Sequence, residues 1–574
     1  MEKEAPHPQD RPPDLTDRSF SKDDAPRHSL STIRTSDNEH DPGPIQINTI
    51  TIERTNSNDY YQIMTKQQLR KYMAEVKTMY KRKDKKIRPA NVPLPDGVNP
   101  GGGFNREPLR ELPQEPWEPL DPKSPPLRQG RTVPRGSRLT PERLAAMKIG
   151  TGFLSDQEKQ IFIDILFQFE GAIAFDDSEM GLLNPAIEPP VVIHTVPHVP
   201  WQQQNIRLPK SMQQVATQYV KEKLANGMLE FSDGPYRSRY FLVKKKNPGE
   251  FRFINDVQLL NGVTIRDSGM PPSVDEFSED FAGYPITSAI DHYSGYNQIL
   301  LDKISRDLTA FLTALGLVRN TRLPQGWTNS VAVFQRVMAK VHYRQIPHEV
   351  RPFLDDCGVK DPKDRYDDVE IVPGVRKFVL EHAQIFKRFM YDTWIAGLTV
   401  SGDKLAIGMP GITIVGMVCD YDGRHPEQKK VAKILDWPVP CSTKESWGFI
   451  RIVVYYRIFI IGFLIIAAPI FLLFRKNAQF LWSQDCQGAM DELKRRLMTA
   501  PIFISLDFSA SALMIFLHVD ASTTIGWGAV LSQLQSDGKI RSARFESGIW
   551  SSAELKYDTV KLECRGLLKA LKKF

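Results

Sequence analysis

The sequence is poor in cysteine, and its cysteines show no pattern. The five lie far apart without a Cys-x-x-Cys pair, which excludes a structural zinc spacing and the disulfide framework of a small secreted domain. The acidic, proline-containing start at Met1 is not followed by the apolar core of a signal peptide. We therefore expect a reducing compartment, cytoplasmic or nuclear.

Long apolar runs are also scarce, with one exception at residues 458–474. This stretch carries no charge over 17 positions, which is the lower length limit of a membrane span, and it contains Gly462 and Pro469. A transmembrane helix is one interpretation. We favour a buried helix that ends near Pro469, because the sequence on both sides is typical of a soluble protein, and we expect no membrane partner.

The overall composition is that of a folded, multidomain protein. Hydrophobic residues make up 41% of the 574 positions and charged residues 25%, which excludes a wholly disordered, collagenous or multi-pass membrane chain. The length predicts two to four domains. The net charge of +7 permits a polyanionic partner without requiring one.

The pattern along the chain predicts an α+β fold behind a proline-rich region. Residues 1–150 lack apolar periodicity apart from one helix that begins at Thr65, and they are expected to be largely disordered. Residues 151–230 carry lead-in helices, the first with a capping box at Ser155 and Glu158 and the second over residues 211–226, ended by Gly227. After them, short apolar and aromatic runs predict strands at 240–244, 251–255 and 286–290, and helices are interspersed without strict alternation, which indicates α+β.

Three carboxylates stand out as candidates for catalysis. Asp291 ends an apolar strand, and Asp355 and Asp356 follow Phe353-Leu354 where we expect the turn of a β-hairpin. Adjacent carboxylates repel each other unless a cation neutralises them, and Mg²⁺ suits a few carboxylates combined with phosphate oxygens. A third acid from another strand would complete a two-metal site. An isolated Asp-Asp pair is more often part of a solvated turn.

Several further motifs surround these acids in a characteristic order. They are Pro235-Tyr236-Arg237-Ser238, Val243-Lys244-Lys245-Lys246, Asn261-Gly262-Val263-Thr264, Leu323-Pro324-Gln325-Gly326-Trp327, Met409-Pro410-Gly411 and Tyr455-Tyr456-Arg457. Together they resemble the polymerase domain of reverse transcriptases, and most closely the fungal members of the gypsy class of long-terminal-repeat retrotransposons. The resemblance covers about two-thirds of the chain. It implies a right-hand fold, with fingers and palm over 231–425 and thumb and connection over 426–500.

The resemblance assigns catalytic roles. Asp291, Asp355 and Asp356 would be the catalytic residues and would hold two Mg²⁺ ions, for which Mn²⁺ could substitute. Tyr296, five residues after the first acid, matches the steric gate that excludes a ribose 2′-OH and so favours dNTPs.

The resemblance also assigns residues to a nucleotide-binding site. Gln325 and Gly326 would lie against the incoming nucleotide and the template, and Lys245 and Arg252 match the fingers residues that hold the triphosphate. A basic strand pair is what a developing pyrophosphate needs. Without the neighbouring motifs, the lysine run would more simply be a solvated surface.

The last part of the chain, 501–574, resembles the beginning of a retroelement ribonuclease H. Asp520 lies in the predicted first strand and Glu563 in a later helix, and the resemblance makes both metal ligands. The later strands and carboxylates of that domain do not appear before Phe574. We therefore expect only its N-terminal part and no RNase H activity, since two acids make a poor two-metal site and a half-sheet has an open edge.

One motif points elsewhere. Asp267-Ser268-Gly269 matches the triplet of aspartic proteases, but Arg266 precedes it and it lies inside the polymerase resemblance. We do not interpret it as a protease site.

The favoured hypothesis is an RNA-directed DNA polymerase of a retrotransposon. Its partners would be an RNA or DNA template-primer and dNTPs, gripped largely through phosphates, with a dimer or other Pol and Gag products as further candidates. If the element is active, the protein would work in a virus-like particle. The alternative is a catalytically decayed remnant that binds nucleic acid without polymerising.

Overall fold

The computed structural model describes residues 136–244, 251–475 and 478–574. The predicted helix at Thr65 and the proposed site residue Lys245 lie outside these ranges. The α-helices in the described ranges are α1 (Pro141–Ala146), α2 (Asp156–Gln168), α3 (Lys210–Ala225), α4 (Gln258–Val263), α5 (Val274–Glu279), α6 (Lys303–Arg306), α7 (Ser330–Val341), α8 (Lys377–Ile395), α9 (Gln428–Leu435), α10 (Thr443–Tyr455), α11 (Phe463–Ile466), α12 (Ala468–Leu472), α13 (Gln484–Met498) and α14 (Thr559–Leu571).

The strands form several small sheets around one larger sheet. In chain order they are β1 (Lys148–Ile149), β2 (Ile173–Ala174), β3 (Leu229–Phe231), β4 (Tyr240–Lys244), β5 (Phe251–Asn255), β6 (Thr287–Asp291), β7 (Phe311–Thr313), β8 (Gly316–Asn320), β9 (Val350–Phe353), β10 (Asp356–Val359), β11 (Glu370–Val372), β12 (Val375–Arg376), β13 (Val400–Ser401), β14 (Ala406–Met409), β15 (Gly411–Ile414), β16 (Met417–Asp420), β17 (Gly423–Pro426), β18 (Ile515–Ala521), β19 (Gly526–Leu534) and β20 (Ile540–Ile549).

The larger sheet has the strand order β1-β14-β6-β10-β9 and is called the palm sheet below. Helices α2, α7 and α8 share its hydrophobic core, to which α8 contributes the fully buried Phe378, Phe386 and Phe389. The capping box predicted for α2 is present, since Ser155 Oγ accepts from the Glu158 N–H at 3.1 Å. Because β1 pairs with β14, the sheet includes residues before 150. The domain limits otherwise stay predictions.

The sheets β3-β8-β7 and β4-β5 share a small hydrophobic core with helix α3, and this group of elements is called the fingers below. Strands β4 and β5 have the bounds expected from the sequence, and the predicted helix of residues 211–226 is α3, which ends before Gly227 at φ +66°. Tyr219 and Tyr240 stack on Phe253, with ring centroids 4.7 and 5.0 Å apart. This aromatic stack fixes α3 against the β4-β5 hairpin.

A second hydrophobic core joins the sheet β15-β16-β17 to helices α9–α13. Within it, residues 458–474 form a 3₁₀ turn followed by α11 and α12, and Phe459, Phe463 and Ile470 are buried. The expectation of one helix ending near Pro469 is therefore wrong. Gly462, at φ +68°, interrupts the helix, and Pro469 lies in the first turn of α12, where a missing N–H is tolerated. In the described residues, no helix is long and apolar enough to span a bilayer.

The C-terminal part is an antiparallel sheet, β18-β19-β20, covered by α14. Helix α14 packs directly on β18, since a Cβ at Gly566 would lie at the ordinary van der Waals distance of 3.4 Å from the side chains of Val519 and Ala521. A buried arginine of β17 ties this part to α5: Arg424 Nη1 donates to the Asp275 carbonyl at 2.7 Å, and Nη2 donates to the Ala543 carbonyl of β20 at 3.4 Å.

Candidate active site

Neighbouring strands of the palm bring the three predicted acids to one end of the sheet. In the antiparallel pair β6-β10, Asp291 lies directly opposite Asp356. Phe353 and Asp356 are paired across β9-β10, which leaves Leu354 and Asp355 as a two-residue turn. The His292 N–H donates to the Asp355 carbonyl at 2.9 Å and closes the turn onto the end of β6. The predicted hairpin is therefore present, and its acids adjoin Asp291.

Three negatively charged side chains, those of Asp291, Asp355 and Asp356, lie close together at this end of the sheet. Burial, and then the charges of Asp355 and Asp291, raise the pKa of Asp356 to about 6. Burial and the Asp355 charge also raise the pKa of Asp291, while Lys404 opposes that rise. The carboxylates are thus poised to take up a proton or a cation.

Lys404 provides positive charge at this site. Its Nζ lies 2.8 Å from Asp291 Oδ1, although 63% of the lysine side chain is exposed. Sequence reasoning missed this contact, because 113 residues separate the partners. The segment after Lys404, Leu405-Ala406-Ile407-Gly408, has a structural reason to be apolar: Leu405 and Ile407 are fully buried next to or within β14.

The three palm acids are the residues predicted to hold metal ions. Within residues 136–244, 251–475 and 478–574, no three His, Cys, Asp or Glu side chains are already arranged round a common point as metal ligands. At Asp291, one carboxylate oxygen is engaged by Lys404. The donor set itself fits Mg²⁺, which favours carboxylate oxygens together with phosphate.

A cavity of about 230 Å³ lies between the fingers and the palm. Arg252 and Gln325, two of the predicted nucleotide ligands, line it together with Ser294 and Asn297. The neighbouring loop is held by Asn261, which sequence reasoning had quoted only as part of a motif. Asn261 Nδ2 donates to the Gly326 carbonyl at 2.9 Å, and its Oδ1 accepts from the Thr328 N–H at 2.8 Å. At φ +87°, Gly326 suits this turn because it has no Cβ.

Tyr296 lies on the 3₁₀ helix that follows β6, Gly295–Gln298. Its ring packs edge-to-face on Phe334 of α7, with centroids 5.4 Å apart. Burial and the charge of Asp355 raise the pKa of the Tyr296 hydroxyl. A Cβ at Gly295 would lie 2.6 Å from the Phe334 ring, so glycine permits this close packing.

Other acids occupy different surroundings. Asp520 is exposed on β18 and Glu563 half-buried on α14, two elements that pack together. Asp267 of the protease-like triplet forms an ion pair with Arg336 at 2.8 Å. A second Asp-Asp pair, Asp367–Asp368, is exposed in a 3₁₀ turn outside the palm sheet.

Comparison with known families identifies two domains. Residues 243–431 match the family "Reverse transcriptase (RNA-dependent DNA polymerase)", and residues 482–574 match the "RNase H-like domain found in reverse transcriptase". The first match contains Asp291, Asp355 and Asp356, and the second contains Asp520 and Glu563.

Similar proteins include three transposon polyproteins. The "Retrovirus-related Pol polyprotein from transposon 412" of Drosophila melanogaster is 28% identical over 337 residues, which cover 57% of this chain and 26% of that protein. The corresponding protein from transposon gypsy of the same fly is 27% identical, with coverages of 55% and 30%. The Schizosaccharomyces pombe "Transposon Tf2-3 polyprotein" is 24% identical, with coverages of 64% and 26%. The chain thus spans about a quarter to a third of these relatives.

Solved structures support the same fold. The foamy viral protease-reverse transcriptase dRH in complex with double-stranded DNA superposes with a TM-score of 0.64 at 20% identity, covering 75% of this chain and 71% of that one. The foamy viral protease-reverse transcriptase in complex with an RNA/DNA hybrid gives 0.62 at 20% identity, with coverages of 75% and 54%. This chain accordingly contains a reverse transcriptase domain followed by an RNase H-like domain, and it is similar to Pol polyproteins of transposons.

Proposed function

We propose that the chain is an RNA-directed DNA polymerase that extends a primer on an RNA or DNA template. The observation that carries the proposal is the cross-strand meeting of Asp291 with the Asp355–Asp356 hairpin inside the reverse transcriptase domain. Two of the similar foamy viral structures are complexes with double-stranded DNA and with an RNA/DNA hybrid, which supports template-primer as the partner.

In this proposal Asp291, Asp355 and Asp356 hold two Mg²⁺ ions. When bound, these would supply Lewis acidity to the primer 3′-OH and neutralise charge on the phosphates. Since Lys404 already engages one oxygen of Asp291, metal binding would exchange that ammonium for a divalent ion. The raised pKa of Asp356 means that the metal also competes with a proton there.

The remaining residues bind and select the nucleotide. Arg252, and Lys245 beyond the described ranges, would contact the triphosphate, because guanidinium and ammonium groups suit phosphate oxygens. Gln325 and Gly326 would face the nucleotide and the template, and Tyr296 would exclude a 2′-OH. Asp520 and Glu563 stay predictions as ligands of a second, RNase H-like metal site.

The test is primer extension on poly(rA)/oligo(dT) with Mg²⁺ or Mn²⁺. We expect extension by the wild type and none by Asp355→Asn/Asp356→Asn. The matched control is Asp367→Asn/Asp368→Asn, which makes the same change in an exposed Asp-Asp pair and should extend normally. Duplex binding is measured in parallel by fluorescence anisotropy. A folded wild type that binds the duplex without extending it would favour the decayed remnant.

A further inference from the structure

A glutamine on α7 holds the catalytic hairpin from outside the sheet. Gln335 Nε2 donates to the Pro352 carbonyl at 3.0 Å, and Gln335 Oε1 accepts from the Leu354 N–H at 2.9 Å. One side-chain amide therefore bonds both to the last part of β9 and to the turn that carries Asp355. The spacing of 17 and 19 residues between these partners gave no signal in the sequence.

The two backbone groups have no partner within the hairpin. Phe353 and Asp356 close the two-residue turn, so the Pro352 carbonyl, one residue earlier, points away from β10. β9 is the edge strand of the palm sheet, and the Leu354 N–H lies within the turn itself. Gln335 thus satisfies a donor and an acceptor that the sheet leaves free.

The turn also contains an unfavourable backbone conformation. Leu354 has φ +58°, in the left-handed region that a residue with a Cβ rarely adopts, and glycine is preferred at this position of such turns. Non-glycine residues persist there when their surroundings hold them. The two hydrogen bonds of Gln335 hold the backbone at Leu354 and at Pro352, two residues earlier on β9.

We propose that Gln335 is a positioning residue for the metal-binding acids, an inference that rests on the proposed polymerase function. By holding Leu354 in the left-handed conformation, it fixes the direction in which Asp355 and Asp356 present their carboxylates to Asp291. Gln335 does not line the nucleotide cavity, whereas the adjacent Phe334 supports Tyr296. Its loss should therefore reduce turnover rather than nucleotide binding.

The test combines kinetics with hydrogen exchange of the full chain. Gln335→Met keeps the side-chain length and removes both bonds. We expect kcat for dNTP incorporation to fall about tenfold to a hundredfold, because a displaced catalytic group is costly at that scale, with KM for dNTP nearly unchanged. Amide exchange of a peptide covering 351–358 should become faster.

A second substitution provides a rescue. In Gln335→Met/Leu354→Gly, glycine adopts positive φ without the Cβ penalty, so most of the lost turnover should return. Lys340→Met is the control, because it removes the ion pair of α7 with Glu188 and leaves the hairpin untouched. Its kcat should match that of the wild type.

Several outcomes would overturn the inference. The first is a wild-type kcat in Gln335→Met. The second is an equal loss of kcat in Gln335→Met and in Gln335→Met/Leu354→Gly. The third is an unchanged rate of amide exchange in the hairpin peptide of Gln335→Met. If Gln335→Met does not fold, Gln335→Glu keeps the acceptor for the Leu354 N–H and lacks the donor to Pro352, and wild-type kcat in that variant overturns the inference equally. A wild type that extends no primer contradicts the proposed function instead, and the exchange measurement still decides the placement of Gln335.

Discussion

Asp356→Asn should stabilise the protein while removing its proposed activity. Asp356 lies half-buried beside two other carboxylates, and its pKa rises from 3.8 to about 6. Between those pH values the folded chain binds more protons than the unfolded chain, so stability falls as pH rises through this window. Above pH 6 the full penalty is present, and asparagine removes it because it carries no charge.

The size of the effect follows from the shift. About two pKa units correspond to at most about 3 kcal/mol. Because Asp356 is only partly buried, solvent screening lowers this to about 1 to 2 kcal/mol. In a chain of this size the gain corresponds to an increase in melting temperature of about 1 to 2 °C.

The assay is thermal unfolding in EDTA, since a bound divalent ion would itself neutralise the site. Asp356→Asn should melt above the wild type at pH 8 and together with it at pH 4, where the wild-type carboxyl is mostly protonated. Asp537→Asn is the control, because the pKa of that exposed acid is shifted in the opposite direction: a backbone hydrogen bond from Lys539 lowers it. Replacing Asp537 should therefore not raise the melting temperature at pH 8. A lower melting temperature for Asp356→Asn at pH 8 would refute the reasoning.

Three further predictions follow from the same geometry. The Mg²⁺ concentration for half-maximal extension should rise roughly tenfold from pH 8 to pH 5, because protons compete for Asp356, and an unchanged midpoint would contradict this. Tyr296→Ala should raise rNTP incorporation relative to dNTP, measured with matched nucleotides on one template, and unchanged selectivity would remove Tyr296 as the gate. Arg424→Met should lower the free energy of unfolding by about 3 kcal/mol in urea, because it leaves Glu279 without its buried partner. A loss below about 1 kcal/mol would show that this ion pair is dispensable.

Local patterns in the sequence predicted the local parts of the fold. Strands β4 and β5 follow from short apolar and aromatic runs, and the Asp355–Asp356 hairpin follows from its turn. The ordered motifs predicted the reverse transcriptase and RNase H-like domains, which the comparisons confirm. These features depend on neighbouring residues, or on a series long enough to identify a family.

Contacts between distant residues could not be predicted in this way. Lys404 reaches Asp291 only after β14 has been placed beside β6, and Gln335 reaches the hairpin only because α7 packs near β9. The error at Pro469 has a different origin. An uncharged run indicates burial but does not indicate whether the chain passes through the core as one helix or as several short ones.

The most direct test of the account concerns Asp291, because the structure brings it from a separate strand to the hairpin acids. The measurement is single-turnover addition of one dNTP to a labelled primer on an RNA template in Mg²⁺, with wild type and Asp291→Asn compared at equal duplex occupancy. We expect addition by the wild type and a single-turnover rate that is lower by several orders of magnitude in Asp291→Asn. Equal rates for the two proteins would contradict a catalytic site built from Asp291, Asp355 and Asp356.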